Sequence, residues 1–312
     1  MFSGDWRAWA AASIARVTET RLETREPEAR ARTEQTAAQA TRVTVIKPAP
    51  RWPHLDISEF WHYRELFVML VWRDIKVRYK QSFIGAFWAI LQPVMLMVVF
   101  SLVFGKFARF SAEGLPYQLF AYSGLLPWTY FASALALSST SVVSNVNLVT
   151  KVYFPRVFLP FAGSAVPAVD FALAFVVLAG MMAWYNTAVG PEIVLMPVFL
   201  ALAFLTALGV GLFFSAVNVR YRDVPYAVPF LVQTWMWLSP VAYSIRALPE
   251  RWEWVFALNP MSGVINGFRW TIVGTPAPSA GQLAVSVGTA LVFFLFGLAF
   301  FRRSEPRFAD TI

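Results

Sequence analysis

Six stretches of this chain contain no Asp, Glu, Lys or Arg: residues 81–105, 114–150, 171–191, 193–219, 224–245 and 270–301. A helix of about 20 apolar residues crosses the ~30 Å hydrocarbon layer of a bilayer, and every one of these runs is long enough. A buried core helix would explain one or two of them, but not six. The whole chain is 58% hydrophobic and only 14% charged, whereas a soluble domain carries roughly 25% charged residues. No water-soluble core hides that much apolar surface. The pattern therefore predicts an all-α membrane protein with six transmembrane helices, near 84–106, 117–138, 158–184, 193–217, 224–245 and 280–301.

The positions of the basic residues predict the orientation. With both termini in the cytosol, segments 1–83, 139–157, 218–223 and 302–312 are cytosolic. They then hold all of the 26 Lys and Arg residues except Lys106, Arg109, Arg246, Arg251 and Arg269. The opposite orientation reverses this bias and violates the positive-inside rule. The formal charge of +8, which in a soluble protein would suggest nucleic acid, is thereby assigned to the membrane, and no nucleic-acid partner is expected. Residues 1–42 mix seven Arg with six acidic residues and contain neither an apolar h-region nor a small-residue cleavage site. They read as a cytosolic extension, helical or disordered, so the first span is expected to act as an uncleaved signal anchor. The chain has no Cys and two His, His54 and His62, which excludes disulfides and is too few for a His-rich metal site.

Residues 43–83 form a second cytosolic region. Pro48, Pro50 and Pro53 break regular structure. Asp56 then offers a helix cap with Glu59 three residues on, and Phe60, Tyr63, Phe67 and Leu70 recur at helical spacing, opposite Arg64, Glu65, Arg73 and Asp74. The segment ends in Arg73, Lys76, Arg78 and Lys80. An apolar face with a basic end suits a helix lying in the interface of an anionic leaflet.

Three features do not fit plain spans. Between the fifth and sixth runs lies LPERWEWVFALNPMSGVINGFRW, residues 248–270, broken by Pro249, Pro260 and Gly263 and flanked by Trp252, Trp254, Phe256 and Trp270. It reads as a broken helical hairpin that dips into the outer leaflet and returns, as non-helical backbone at that depth requires protein or water around it. Asp170 is the only charge well inside a span. An acid there costs at least ~2.5 kcal/mol on insertion scales. It serves either as a relay or cation partner, or as a structural hydrogen-bonding group, and the lack of a second intramembrane acid or base favours the structural role. Finally, Phe, Trp and Tyr number 29, 13 and 10. Lipid contact and interfacial belts account for most of them, while Phe87, Trp88, Phe100, Phe104, Trp235, Trp237 and Tyr243 are candidates for lining a sugar path.

Much chemistry is missing. No G-x-x-x-x-G-K-[ST] loop is present, so the chain is not its own ATPase. There is no H-E-x-x-H, no G-x-S-x-G, and no Asp-x-Asp pair for metal-dependent glycosyl transfer. The cytosolic loop SSTSVVSNVNLVTKVYFPR, residues 139–157, is polar, then apolar, then basic. It suits either a short helix docking to a partner or contact of Lys151 and Arg156 with lipid phosphates.

Several of these segments together resemble one family. WRDIKVRYKQSFIGAFWAILQPV (72–94), PYQLFAYSGLLPWTYF (116–131), SNVNLVTKVYFPRVFLP (144–160), NVRYRDVPY (218–226), SPVAYS (239–244) and LNPMSGVINGFRW (258–270) are similar, in order and spacing, to permease subunits of type-2 ABC exporters of O-antigen, capsule and teichoic acid. The resemblance runs from about Val43 to the end and leaves residues 1–42 outside, as a lineage extension or a misplaced start codon. It implies a homodimer in the bacterial inner membrane, paired with two copies of an ABC subunit that binds the ATP and Mg, with no cofactor in this chain. It also implies that Asn145, Asn147, Leu148, Lys151, Tyr153, Phe154 and Arg156 lie in the coupling helix that docks on that subunit, and that 57–72 is the interface helix. The hairpin, with Trp252, Trp254, Asn259 and Pro260, would cap the outer end of the path. The substrate would be a polysaccharide on a polyprenyl diphosphate, attracted by Arg73, Lys76, Arg78 and Lys80 at the cytosolic entrance. Two other functions remain compatible with the residues: export of a small hydrophobic molecule or lipid by the same fold, and an enzyme of polyprenyl-linked glycan assembly, which would need clustered acids or histidines at the interface.

Overall fold

The computed structural model describes residues 61–80, 85–110, 112–247 and 249–311. The extension 1–42, His54, the Asp56–Glu59 cap and Phe60 lie outside the described residues. All regular structure within them is helical.

The interface segment forms α1, Arg64–Lys80, with one inward face in which Leu70 is buried and Tyr63, Leu66, Phe67 and Val71 pack beside it. The helix runs eight residues past the expected end at 72, so that Arg73, Lys76, Arg78 and Lys80 lie on it. Helix α2, Gly85–Phe100, continues as a π-helical turn, Ser101–Phe107. Helix α3, Tyr117–Ser144, is largely enclosed, with buried residues from Leu119 to Val142. After it come α4, Val146–Lys151, then α5, Phe158–Ala165, and α6, Ala168–Trp184. Pro167 sits between the last two, where its missing N–H interrupts the ladder. A 3-10 turn, Pro191–Leu195, leads into α7, Met196–Arg220. Helices α8, Val224–Trp237, α9, Glu250–Ala257, α10, Pro260–Val273, α11, Ala280–Ser304, and α12, Phe308–Thr311, complete the chain.

Among the described residues, four helical stretches are long and apolar enough to cross a membrane: Phe87–Phe107, Phe158–Trp184, Pro191–Arg220 and Ala280–Arg307. The two other expected spans differ from these. Helix α3 has the length, at 28 residues, but Tyr, Ser and Thr dilute its hydropathy and its surface is turned toward protein. The expected span 224–245 is corrected: its helix ends at Trp237 after 14 residues, about 21 Å at 1.5 Å per residue. Pro240 is the cause, because a proline has no N–H to donate and pushes the residue before it out of helical geometry.

Helix α7 is central, packed on α3, α5, α10 and α11. Small residues allow the close approach. A Cβ on Gly297 of α11 would collide with the backbone of Gly209, and one on Gly209 would come within 2.5 Å of the Phe294 nitrogen. A second close contact joins α5 to α3, where a Cβ on Gly163 would lie 3.0 Å from the Leu137 carbonyl. Glycine at such crossings brings backbones together where no hydrophobic effect operates between helices.

The break after α8 exposes carbonyls, and Arg269 of α10 takes them up. This guanidinium is 2% exposed. It donates to the oxygens of Phe120 at 3.2 Å, Pro240 at 2.6 Å and Val241 at 2.5 Å, and lies 3.7 Å from the Phe120 ring centroid. Gly124 leaves the room it needs, since a Cβ there would meet the guanidinium.

Arg269→Met should therefore strip the donors from the Pro240 and Val241 carbonyls, while that of Phe120 keeps the Ser123 hydroxyl. At about 1–3 kcal/mol per unsatisfied group, detergent-solubilised protein should melt well below the parent and elute partly as aggregate in size-exclusion chromatography. Gly297→Ala should cost about 1–3 kcal/mol by overpacking, read from the same melting curve.

Candidate functional site

Where the chain carries its expected functional residues, two groups of side chains meet on one face. The first surrounds α4 and the loop that follows it. Its anchors point inward: Val149 and Phe154 are buried, and Leu148 packs against the same cluster, which also includes Phe158, Phe301 and Phe308. Its outer surface is made by Asn147, Lys151 and Tyr153, with Tyr153 73% exposed. An apolar underside and an exposed aromatic–basic upper side hold the loop rigid while presenting it.

Polar ties fix this loop from both sides. The Asn145 amide accepts from Arg73 of α1 at 2.8 Å and donates to the Ser141 carbonyl at 2.8 Å. At the other end, the backbone N–H of Arg156 donates to the Glu305 carboxylate at 3.0 Å, and the Arg156 guanidinium donates to the Glu305 carbonyl at 2.6 Å. Glu305 also pairs with Arg302 at 3.1 Å. The Arg156 side chain thus turns back onto the 3-10 turn Glu305–Arg307 that follows α11. This tie joins residues 149 positions apart, and no local pattern in the sequence signals it.

The second group lies where α1 meets α2, α3 and α6. Arg78 pairs with Asp170 at 2.6 Å, and the Tyr79 hydroxyl donates to the same carboxylate. Burial, and then the adjacent Asp170 carboxylate, push the Tyr79 phenol pKa above its ordinary value, so it remains a donor. Asp170 is therefore tied to the interface helix as a cation partner, which the alternatives for a lone intramembrane acid included. Beside the pair is a cavity of about 260 Å³, lined by Arg78, Trp88, Gln92, Thr129, Ser133 and Asp170 among others. The basic cluster is otherwise divided. Arg73 bonds Asp74 and Asn145, Lys76 sits 5.3 Å from the Trp72 ring, and Lys80 is exposed. Of the four, Arg78 is the one that lines the cavity.

The aromatic candidates separate in the same way. Phe87 and Trp88 are exposed on α2. Phe100, Phe104 and Trp237 form one cluster, with ring centroids 5.6–6.3 Å apart. Trp235 is packed between Phe131 and Phe293, and Tyr243 rests on Phe256 and donates to the Trp237 carbonyl. In the hairpin, Trp252 and Trp254 are exposed and Pro260 is buried. Asn259 holds the hairpin to the end of α8. Its oxygen caps α10 through Met261 N–H and accepts from Trp235 Nε1 at 2.9 Å, while its nitrogen donates to Ser239 Oγ at 2.8 Å and the Leu238 carbonyl at 3.0 Å. A second polar cavity of about 430 Å³ borders Glu113, Arg246, Asn266, Arg269 and Gln282.

Comparison with known proteins places this arrangement. The O-antigen export system permease protein RfbA of Myxococcus xanthus is 27% identical over 258 residues, covering 82% of this chain and 98% of the relative. RfbA of Klebsiella pneumoniae is 25% identical, over 80% of this chain and 95% of the relative. The polysialic acid transport protein KpsM of Escherichia coli is 21% identical, over 75% and 91%. The family model described as ABC-2 type transporter matches residues 65–273, from α1 through α10. This multi-pass inner-membrane chain therefore belongs to the ABC-2 type transporter family.

Proposed function

We propose that this protein is the transmembrane subunit of an ATP-driven exporter that moves polyprenyl-diphosphate-linked polysaccharide across the inner membrane. Two copies of the chain pair with two ATP-binding subunits, which hold the ATP and Mg and hydrolyse the nucleotide. The observation that carries this reading is the near-complete coverage of polysaccharide export permeases, 98% of the Myxococcus xanthus protein, by a chain with no phosphate-cradling loop of its own.

The geometry supports the details. Both termini face the cytosol, with α3 and the short α8 completing a six-span bundle. Asn147, Lys151 and Tyr153 then form the surface on which the ATP-binding subunit docks. The ties Arg73–Asn145 and Arg156–Glu305 carry a push on that surface into α1 and α11 at once. The headgroup enters beside Arg78, and the glycan follows exposed aromatic faces such as Phe87 and Trp88 toward the outer end, which the hairpin with Trp252, Trp254, Asn259 and Pro260 covers.

Permease and ATP-binding subunit reconstituted together in vesicles should move a fluorescent polyprenyl-diphosphate glycan on addition of ATP. Absence of movement from a complex that hydrolyses ATP would overturn the reading. Glu305→Ala, which removes the acceptor of the Arg156 N–H, should separate the two activities: ATP hydrolysis stays near the parent rate, while glycan moved per ATP falls by about five- to tenfold, the lower range of site-to-site coupling. Tyr153→Ala together with Lys151→Glu should instead reduce recovery of the ATP-binding subunit in a pull-down on the permease.

A further inference from the structure

The ion pair at the cytosolic entrance has a feature that headgroup binding alone does not require. A site built only to hold a diphosphate would leave its guanidinium open, whereas Arg78 already has a carboxylate on it. Asp170 Oδ2 lies 2.6 Å from Arg78 Nη2, and the other oxygen of Asp170 accepts from Tyr79. The two partners differ in exposure. The Arg78 side chain is 39% exposed and the Asp170 side chain 15%. The acid is thus fixed in the wall, while the base can reach out to a ligand and return. The adjoining cavity, at about 260 Å³, is below the ~300–1,000 Å³ of sites for drug-sized ligands. It fits a headgroup rather than a sugar chain, and Gln92 and Ser133, whose side chains can donate to an anion, are among the residues that line it.

We propose that Asp170 is an internal competitor for the Arg78 guanidinium, occupying donors that an incoming lipid diphosphate needs and taking Arg78 back when the headgroup moves on. The inference rests on the export reading above. Its physical basis is that a transport site has to bind strongly enough to load and weakly enough to release. Arginine holds phosphate through charge-assisted, often bidentate hydrogen bonds, so an open guanidinium at the leaflet would keep the diphosphate and would also collect the far more abundant single-phosphate headgroups. A fixed carboxylate lowers the affinity for every such anion by the same displacement step. Single-phosphate lipids then stay off, and the diphosphate, with more acceptor oxygens and charge, still displaces the acid. Tightening a substrate complex without tightening the transition state lowers KM and gains no rate.

The sign of the effect provides the test. In nanodiscs of phosphatidylcholine carrying the permease with its ATP-binding subunit, ATP hydrolysis is followed against undecaprenyl diphosphate. Lipids retained by the purified complex are identified by mass spectrometry. Asp170→Asn should lower the half-saturating concentration by about tenfold, the weight of one charge-assisted contact, lower the maximal rate, and make phosphatidylglycerol co-purify. Asp170→Glu should restore parent behaviour. Arg78→Gln combined with Asp170→Asn, which leaves no unpaired charge, should raise the half-saturating concentration above that of the parent. If Asn is not tolerated, Asp170→Ser keeps an acceptor for Tyr79 and repeats the measurement. A half-saturating concentration that is unchanged or higher in the single neutral variants would make Asp170 a structural or orienting group and overturn the proposal, with the export reading intact. A parent complex that hydrolyses ATP but never responds to the diphosphate lipid would remove the entrance itself, and the proposal with it.

Discussion

Inside a bilayer no water is available to satisfy a polar group, so every backbone break and every charge at depth has to find its partner within the protein. The arrangement of α8, α10 and α3 follows from that rule. Pro240 stops α8 and frees carbonyls, and one buried guanidinium, Arg269, meets the oxygens of Pro240 and Val241 and reaches across to Phe120 on α3. The same side chain thereby pins α10 between the broken end of α8 and α3. Asn259 repeats the device at the start of α10, with all of its bonding capacity spent on the end of α8 and on the first turn of α10. The hairpin is held by polar groups that would each be costly to leave unmet, in a solvent where apolar burial between helices contributes little.

The packing around α1 and α4 is built differently. There an apolar cluster of Leu70, Phe154, Phe158, Leu212, Phe301 and Phe308 unites α1, the loop after α4, α7 and the end of α11, and polar ties sit at its rim rather than in its centre. Arg73–Asn145 and Arg156–Glu305 bridge distant parts of the chain around one exposed loop. A packed cluster has few alternative arrangements, so a displacement of the loop moves the elements sharing that cluster as a body. This is the mechanical property that a site pushed by a partner needs.

Much of this was legible in residue order, for identifiable reasons. Charge-free runs are set by hydrocarbon thickness, so the long helices α6, α7 and α11 could be read directly. The inward face of α1 followed from the spacing of Tyr63, Phe67 and Leu70. The length of α8 was not readable from hydropathy, because Trp237 and the apolar residues around Pro240 continue the run while the backbone does not continue the helix. The end of the interface helix at 72 was what the family resemblance implied, whereas the residues themselves carry the segment through Arg73, Lys76, Arg78 and Lys80. The pairings that define the site, Arg78 with Asp170 and Arg156 with Glu305, join residues about a hundred positions apart or more. Charge alone says that such partners are needed, but only the packing of α1 on α5 and α2, which brings Arg78 to Asp170, and of the loop on the end of α11, says which ones they are.

Two arginines now illustrate what exposure decides. Arg269 and Arg78 both sit where a bare charge would be costly, and both are neutralised or hydrogen-bonded by protein. Arg269 is 2% exposed, with bonds on all three of its nitrogens directed at backbone carbonyls that cannot leave. Although it borders the second cavity, these bonds hold it in place, and it acts as a rivet. The Arg78 side chain is 39% exposed, its partner is one side chain, and an anion from the membrane can reach it. The same chemistry, a guanidinium with oxygen partners, is permanent in the first setting and exchangeable in the second. Burial places the rivet on α10, against the broken end of α8, and the exchangeable pair between α1 and the start of α6.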